Sequence, residues 1–145
     1  MDIQLVTSVD ALYAERLTRT NMAPYFSKRC VVWDPERYIA TWQELENFDV
    51  RVNNKRAGVV RINHVKSITY LRDLQLEATY RGRGVGKHCL QWVLEQAQNH
   101  QSTRLILKVY EDNPAKKLYQ SSGFKPISTT TTGLIEMELE LTLSK

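Results

Sequence analysis

The chain is expected to fold as α/β (α+β) in one domain over residues 1–145. Three observations lead there. Stretches with a two-residue apolar period (48–52, 57–64, 104–110) alternate with stretches at helical spacing, such as 85–97. Residues 104–110 are apolar on both sides: Leu105, Leu107 and Val109 share one face and Ile106 the other. That suits a strand covered on both faces. A glycine-rich turn, Tyr80-Arg81-Gly82-Arg83-Gly84-Val85-Gly86-Lys87, joins a strand at 71–76 to a helix at 85–98.

Ile3 to Val6 is the first strand, and Ser8 or Asp10 caps the helix that follows. Ala11, Leu12, Ala14 and Leu17 form its buried face, and Pro24 is expected to set off 21–28 as a separate helical turn. Asp34-Pro35-Glu36 starts another helix: a capping carboxylate, proline at the first position, then an acid at the positive end of the dipole. Tyr38, Ile39, Trp42 and Leu45 share its face. Strands 48–52 and 57–64 flank Asn53-Asn54-Lys55 as a hairpin, with His64 near its end.

The next strand breaks its own parity. Thr69 and Leu71 belong to one face, Leu74 and Leu76 to the other. One extra residue between Leu71 and Leu74 restores a single apolar face, which is what a β-bulge supplies. After the loop, Val85, Cys89, Leu90, Val93, Leu94 and Ala97 make one helical stripe. Asn113-Pro114 opens a short helix that Gly123 closes. Residues 124–127 and 134–141 are the last strands, around the polar run Thr129 to Thr132. In the final strand Glu136, Glu138 and Glu140 share a face, either solvated or attractive to a cation.

Composition is that of an ordinary globular chain, 42% hydrophobic and 25% charged. A net charge of +4 admits an anionic ligand but is too mild to indicate nucleic acid. No apolar run is long enough for a membrane, and the first residues lack the pattern of a signal peptide. Cys30 and Cys89 form no metal-spaced pair, so no metal is expected, and reduced thiols point to the cytoplasm.

The loop is an anion site by construction. The first N–H groups of a helix have no partner within it, glycine lets the backbone approach a ligand, and Arg81, Arg83 and Lys87 add charge. It is neither a Walker loop, because His88 follows Lys87, nor a dinucleotide fingerprint, because Lys87 stands where the third glycine belongs.

Arg81, Gly84 and Gly86 fill the pattern Gln/Arg-x-x-Gly-x-Gly/Ala, which resembles the coenzyme A pyrophosphate loop of the GNAT superfamily of N-acetyltransferases. The run from Leu74 to Gly82 resembles that family's strand into the loop, with Ala78 in place of its usual proline. Asn113-Pro114-Ala115-Lys116-Lys117-Leu118-Tyr119, continuing to Gly123-Phe124, resembles its second signature. The resemblance is strong over 74–124 and weak at the amino terminus.

It implies a GNAT fold, a mixed central sheet with helices on both faces whose bulged strand splays from its parallel neighbour, and an enzyme that moves acetyl from acetyl-CoA directly to a primary amine. The backbone of Leu74, Gln75 and Leu76 would hold the pantetheine arm, with the Leu76 N–H polarising the thioester carbonyl. Gly82, Arg83, Gly84, Val85, Gly86 and Lys87, with Arg81, would hold the phosphates. Asn113 and Lys116 would add contacts, and Tyr119 would be the general acid. The early helices would shape the acceptor site, with Tyr25, Phe26, Trp33, Tyr38 and Trp42 as candidates to line it. The acceptor is a small-molecule amine or a protein amino group, with no nucleic acid and no membrane partner; a homodimer is compatible with the fold.

For the base, Tyr70, Arg72 and Leu74 hold the acceptor-facing parity and none is acidic; Asp73, Glu77 and His64 stay open as candidates. A longer acyl donor, a non-catalytic acyl-CoA-binding regulator and a nucleic-acid-binding module are the competing readings.

Overall fold

The computed structural model describes residues 1–142. Seven strands form one sheet in the order β1-β2-β3-β4-β5-β7-β6. They are β1 (Ile3–Thr7), β2 (Glu46–Val52), β3 (Lys55–Val65), β4 (Ile68–Leu76), β5 (Arg104–Tyr110), β6 (Lys125–Thr129) and β7 (Leu134–Glu140). The helices are α1 (Ala11–Lys28), α2 (Pro35–Ala40), α3 (Val85–Asn99) and α4 (Ala115–Ser121). Neighbouring strands run antiparallel except β4 and β5, which are parallel.

Consecutive residues of a strand face opposite sides, and Val59 and Val60 show which layer each side meets. Val60 lies in the core under α3, with Ile62, Leu71, Leu105, Leu107 and Val93. Val59 packs with Ala14 and Tyr38, under α1 and α2. The stripe read on α3 is buried at Val85, Cys89, Leu90, Val93 and Ala97. Burial pushes the Cys89 thiol up to about 12, so it is an inert packing group.

Local signals set most boundaries. Asp10, rather than Ser8, caps α1 by accepting from Tyr13 N (3.0 Å). Asp34 caps α2 through Arg37 N (3.1 Å), with Pro35 in the first turn. Asn53 and Asn54 both have positive φ, the two-residue type I′ turn that matches strand twist.

Two expectations need correction. Pro24 does not divide α1, which runs unbroken to Lys28. Thr20, whose carbonyl loses its helical partner, and Pro24 are both exposed, so the proline sits on the solvent face of the helix. The face read through Leu45 also ends early: α2 stops at Ala40, Trp42–Glu44 is a single 3₁₀ turn, and Ile39 is exposed.

The bulge falls at Arg72. Arg61 opposes Asp73 while Ile62 opposes Leu71, leaving Arg72 without a partner on β3. Leu71 and Leu74 therefore meet the same core. Beyond this point β4 leaves β5. Their pairing covers Ile68–Leu71 against Arg104–Leu107 and goes no further. β4 stays with β3 as far as Leu76, and β5 stays with β7 as far as Tyr110. The result is a V-shaped gap inside the sheet.

Gly58 holds one arm of the V. A Cβ there would strike the carbonyl oxygen of Gln75 and a methyl of Leu76. Gly58→Ala is therefore expected to cost about 1–3 kcal/mol of stability by overpacking and to displace the Gln75–Leu76 peptide. Urea unfolding measures the first effect.

Candidate active site

The V opens into a cavity of about 760 Å³ with walls from both faces of the sheet. On the α3 side stand Leu74, Leu76, Gly82, Gly84, Gly86, Lys87, Asn113, Leu118 and Tyr119. On the α1 side stand Thr18, Asn21, Tyr25, Phe26, Trp33, Tyr38 and Asp73. Groups from opposite faces share one space because β4 and β5 have parted.

The backbone lining the gap follows from sheet geometry. Antiparallel pairs alternate between hydrogen-bonded and non-bonded. Glu77 N donates to Ala57 O (2.8 Å), which makes Glu77–Ala57 a bonded pair. Gly58–Leu76 and Val60–Leu74 are then non-bonded pairs, so the N–H and C=O groups of Leu74 and Leu76 turn away from β3, toward the gap. The Leu76 carbonyl is taken up by Asn21 Nδ2 (3.0 Å) and by Arg81 Nε and Nη2 (3.3 Å each). Arg81 Nη2 also donates to Asn21 Oδ1 (2.6 Å). Arg81 thus clamps the end of β4 to α1.

At the loop, Gly84 has φ +82° and starts α3 with no side-chain cap. The first helical N–H to find a partner is that of His88, on Gly84 O (3.1 Å). A Cβ on Gly82 or Gly84 would point into open space. Glycine serves here for its left-handed backbone and for access. Gly86 differs: its Cβ would come within 3.3 Å of Leu118, so it permits α3 and α4 to approach. Uncapped N–H groups, an accessible glycine backbone and Lys87 fit a phosphate-bearing cofactor. Arg83 and Lys116 do not line the cavity; Arg83 donates to Thr79 O (3.4 Å). Val85 does not line the cavity either, its side chain being buried in the core.

Tyr119 is 6% exposed and lies edge-on to Phe124 at 6.0 Å. Burial, then the charge of Asp73, raises its phenol well above the ordinary tyrosine value, so its proton is retained. Asn113 Oδ1 accepts from Ala115 N (3.0 Å) and so sets the start of α4.

Asp73 is the only acid lining the cavity among the described residues. Leu74, read from unbroken parity as facing the acceptor, packs in the α3 core instead. The extra residue, Arg72, exchanges the two faces. Asp73 Oδ2 accepts from Arg61 Nη1 (3.1 Å). Arg61 is 3% exposed, donates to Asn47 Oδ1 (2.9 Å) and lies over Tyr38 at 4.0 Å. Burial raises the Asp73 carboxyl above the usual aspartate value, against the pull of Arg61.

The other two base candidates are elsewhere. Glu77 accepts from the Tyr13 hydroxyl (3.1 Å) outside the cavity. His64 bonds to Thr69 Oγ1 (2.8 Å) and stacks on His100 at 4.1 Å, at the β3–β4 turn. Of the aromatic candidates, Trp42 does not line the cavity, whereas Tyr110, read only as the end of a strand, does. Glu138 is held by Arg104 (2.6 and 3.1 Å) and lies away from it.

The family model of the acetyltransferase (GNAT) family matches residues 14–124. The chain belongs to that family. N-acetylaspartate synthetase of Xenopus tropicalis is 34% identical over 79 residues, which cover 52% of this chain and 29% of that protein. This chain thus matches less than a third of that relative's length. Two solved structures share the fold. The ribosomal-protein-S18-alanine N-acetyltransferase of Escherichia coli superposes with TM-score 0.76 at 19% identity, covering 99% of this chain and 97% of that one. PaiA N-acetyltransferase of Thermoplasma acidophilum, solved with coenzyme A, gives 0.75 at 15% identity, covering 97% and 100%. The mixed, splayed sheet is the GNAT fold. Among the described residues no helix is long and apolar enough to cross a membrane.

Proposed function

We propose that this GNAT protein transfers acetyl directly from acetyl-CoA to a primary amine inside the V. The observation that carries the reading is the meeting, in one cavity, of Tyr119 from the α3 side and Asp73 from the α1 side. An acid and a base on opposite sides of a reacting centre are what direct transfer requires.

The loop N–H groups of residues 82–87 and Lys87 hold the phosphates, and the backbone of Leu74, Gln75 and Leu76 holds the arm in the manner of an added strand. The Leu76 N–H, which the β3 register turns toward the gap, bonds to the thioester oxygen as charge develops there; Asn21 and Arg81 hold the carbonyl of the same residue. Asn113 stands beside the arm. Bound acetyl-CoA supplies the activated acetyl group: its C–S bond breaks as the C–N bond forms, and sulfur keeps the electron pair. Asp73 takes one proton from the ammonium and passes it to solvent. Tyr119 Oη delivers its proton to sulfur, and the second proton lost by nitrogen returns through solvent to the Tyr119 phenolate, which restores the acid. The free thiols Cys30 and Cys89 suit a reducing, cytoplasmic setting.

The test is a thiol-release assay with acetyl-CoA over an amine panel, beside calorimetry with coenzyme A. Transfer to at least one amine is expected, and no binding of coenzyme A refutes the reading. Tight binding with no transfer to any amine favours a non-catalytic acyl-CoA-binding regulator.

The reading also has a pH consequence. The base works ionised, so kcat/KM falls as pH is lowered through the pKa of Asp73. Because burial raises that pKa, the fall begins above the ordinary aspartate range. An acid limb shared by wild type and Asp73→Asn removes Asp73 from the role.

A further inference from the structure

The α1 side of the cavity has a composition of its own. Five aromatic rings form a continuous wall. Tyr25 stacks on Tyr110 at 6.2 Å, Phe26 meets Tyr110 edge-on at 6.0 Å, Phe26 stacks on Trp33 at 5.7 Å, and Trp33 meets Tyr38 at 5.6 Å. All five line the cavity. The wall ends at the carboxylate, because Arg61 lies over Tyr38 and bonds to Asp73. An aromatic face leading to one anionic group complements a cation carried on an apolar, flat body.

Of the cations nearby, the arginines are committed to the protein itself, while Lys108 lines the cavity with no bonded partner among the described residues. Arg81 is bonded to Leu76 and Asn21, and Arg72 to Asn63 Oδ1 (2.8 Å) while lying over Tyr70. Arg29, which stacks on Tyr110 at 4.1 Å, is also committed. Its Nε donates to Thr132 O (2.6 Å) and its Nη2 to Asp112 (2.7 Å). These bonds tie the end of α1 to the β6–β7 loop through Thr132 and to the β5–α4 connection through Asp112. An extended peptide laid between those segments breaks them; a small amine leaves them in place.

We infer that the acceptor is a small primary amine bearing an aromatic ring, with the ring against Phe26 and Trp33 and the amine at Asp73. This rests on the acetyl-transfer reading and narrows its substrate.

The experiment compares phenethylamine, tyramine and tryptamine with putrescine, spermidine, aspartate and a short peptide with a free amino terminus. The arylalkylamines are expected to exceed each of the others in kcat/KM by at least about tenfold, the scale at which one apolar group discriminates. Phe26→Ala should erase most of that preference while retaining coenzyme A affinity. By calorimetry, Asp73→Asn should bind phenethylamine about tenfold or more weakly, through loss of the charge-assisted contact. If Asp73→Asn fails to fold, because Arg61 is left buried and unpaired, the wild-type panel and Phe26→Ala decide. A preference for polyamine, aspartate or peptide overturns the inference, as does coenzyme A binding without turnover of any arylalkylamine. Failure of the underlying reading looks different: coenzyme A does not bind, although phenethylamine still does.

Discussion

Tyr119→Phe is expected to lower kcat by roughly 10²–10⁴-fold, the usual loss when a general acid is removed, and to leave acetyl-CoA binding nearly unchanged. Only a hydroxyl is lost. The ring keeps its place on α4, edge-on to Phe124, and no hydrogen bond of the hydroxyl is broken among the described residues. Stability should therefore hardly move. The wild-type phenol keeps its proton across the working range, since burial and the Asp73 charge both oppose its ionisation. It is thus poised to donate and not to accept. The deficit belongs in kcat, because the proton is needed only as the thiolate forms. Steady-state kinetics with an accepted amine, beside calorimetry with acetyl-CoA, make the measurement. Full activity in the variant would reduce Tyr119 to a packing residue.

Gly84→Asp is expected to weaken coenzyme A binding by about 100-fold or more, the scale of placing an uncompensated like charge against a bound anion. Gly84 has a left-handed backbone, which aspartate tolerates better than most residues. Its Cβ would enter open space, so nothing in the fold has to move. The new carboxylate would lie at the free N–H groups of α3, where the helix dipole stabilises a negative charge. It would satisfy the helix start and occupy the phosphate site together. The thermal midpoint should accordingly hold while the affinity collapses. Gly86→Asp is a poorer probe, since its Cβ would press on Leu118. Unchanged affinity in a folded Gly84→Asp variant would defeat the phosphate assignment.

Features encoded within a few residues could be read in advance. The Asp34-Pro35 and Asn113-Pro114 helix starts, the Asn53-Asn54 turn and the glycine loop each depend on the chemistry of four to eight neighbouring residues. The stripe on α3 follows from helical periodicity alone. The parity break in 69–76 even announced a bulge, because one face of a buried strand must stay apolar.

The direction of Asp73 was beyond that reach. Parity required an extra residue between Leu71 and Leu74 but did not say which one. Pairing with β3 singles out Arg72, and that choice sends Asp73 to the α1 side and Leu74 to the core. Tyr110 joins the aromatic wall only because β5 follows β7 to its end, and Arg61 is buried only because Asn47, Asp73 and Tyr38 surround it. The site itself is an opening between two strands, and an opening has no sequence of its own. The chain by itself determined the local pieces, including the loop and the tyrosine. Long-range strand pairing alone decided that β4 and β5 part, and so that Tyr119 and Asp73 meet across the sheet.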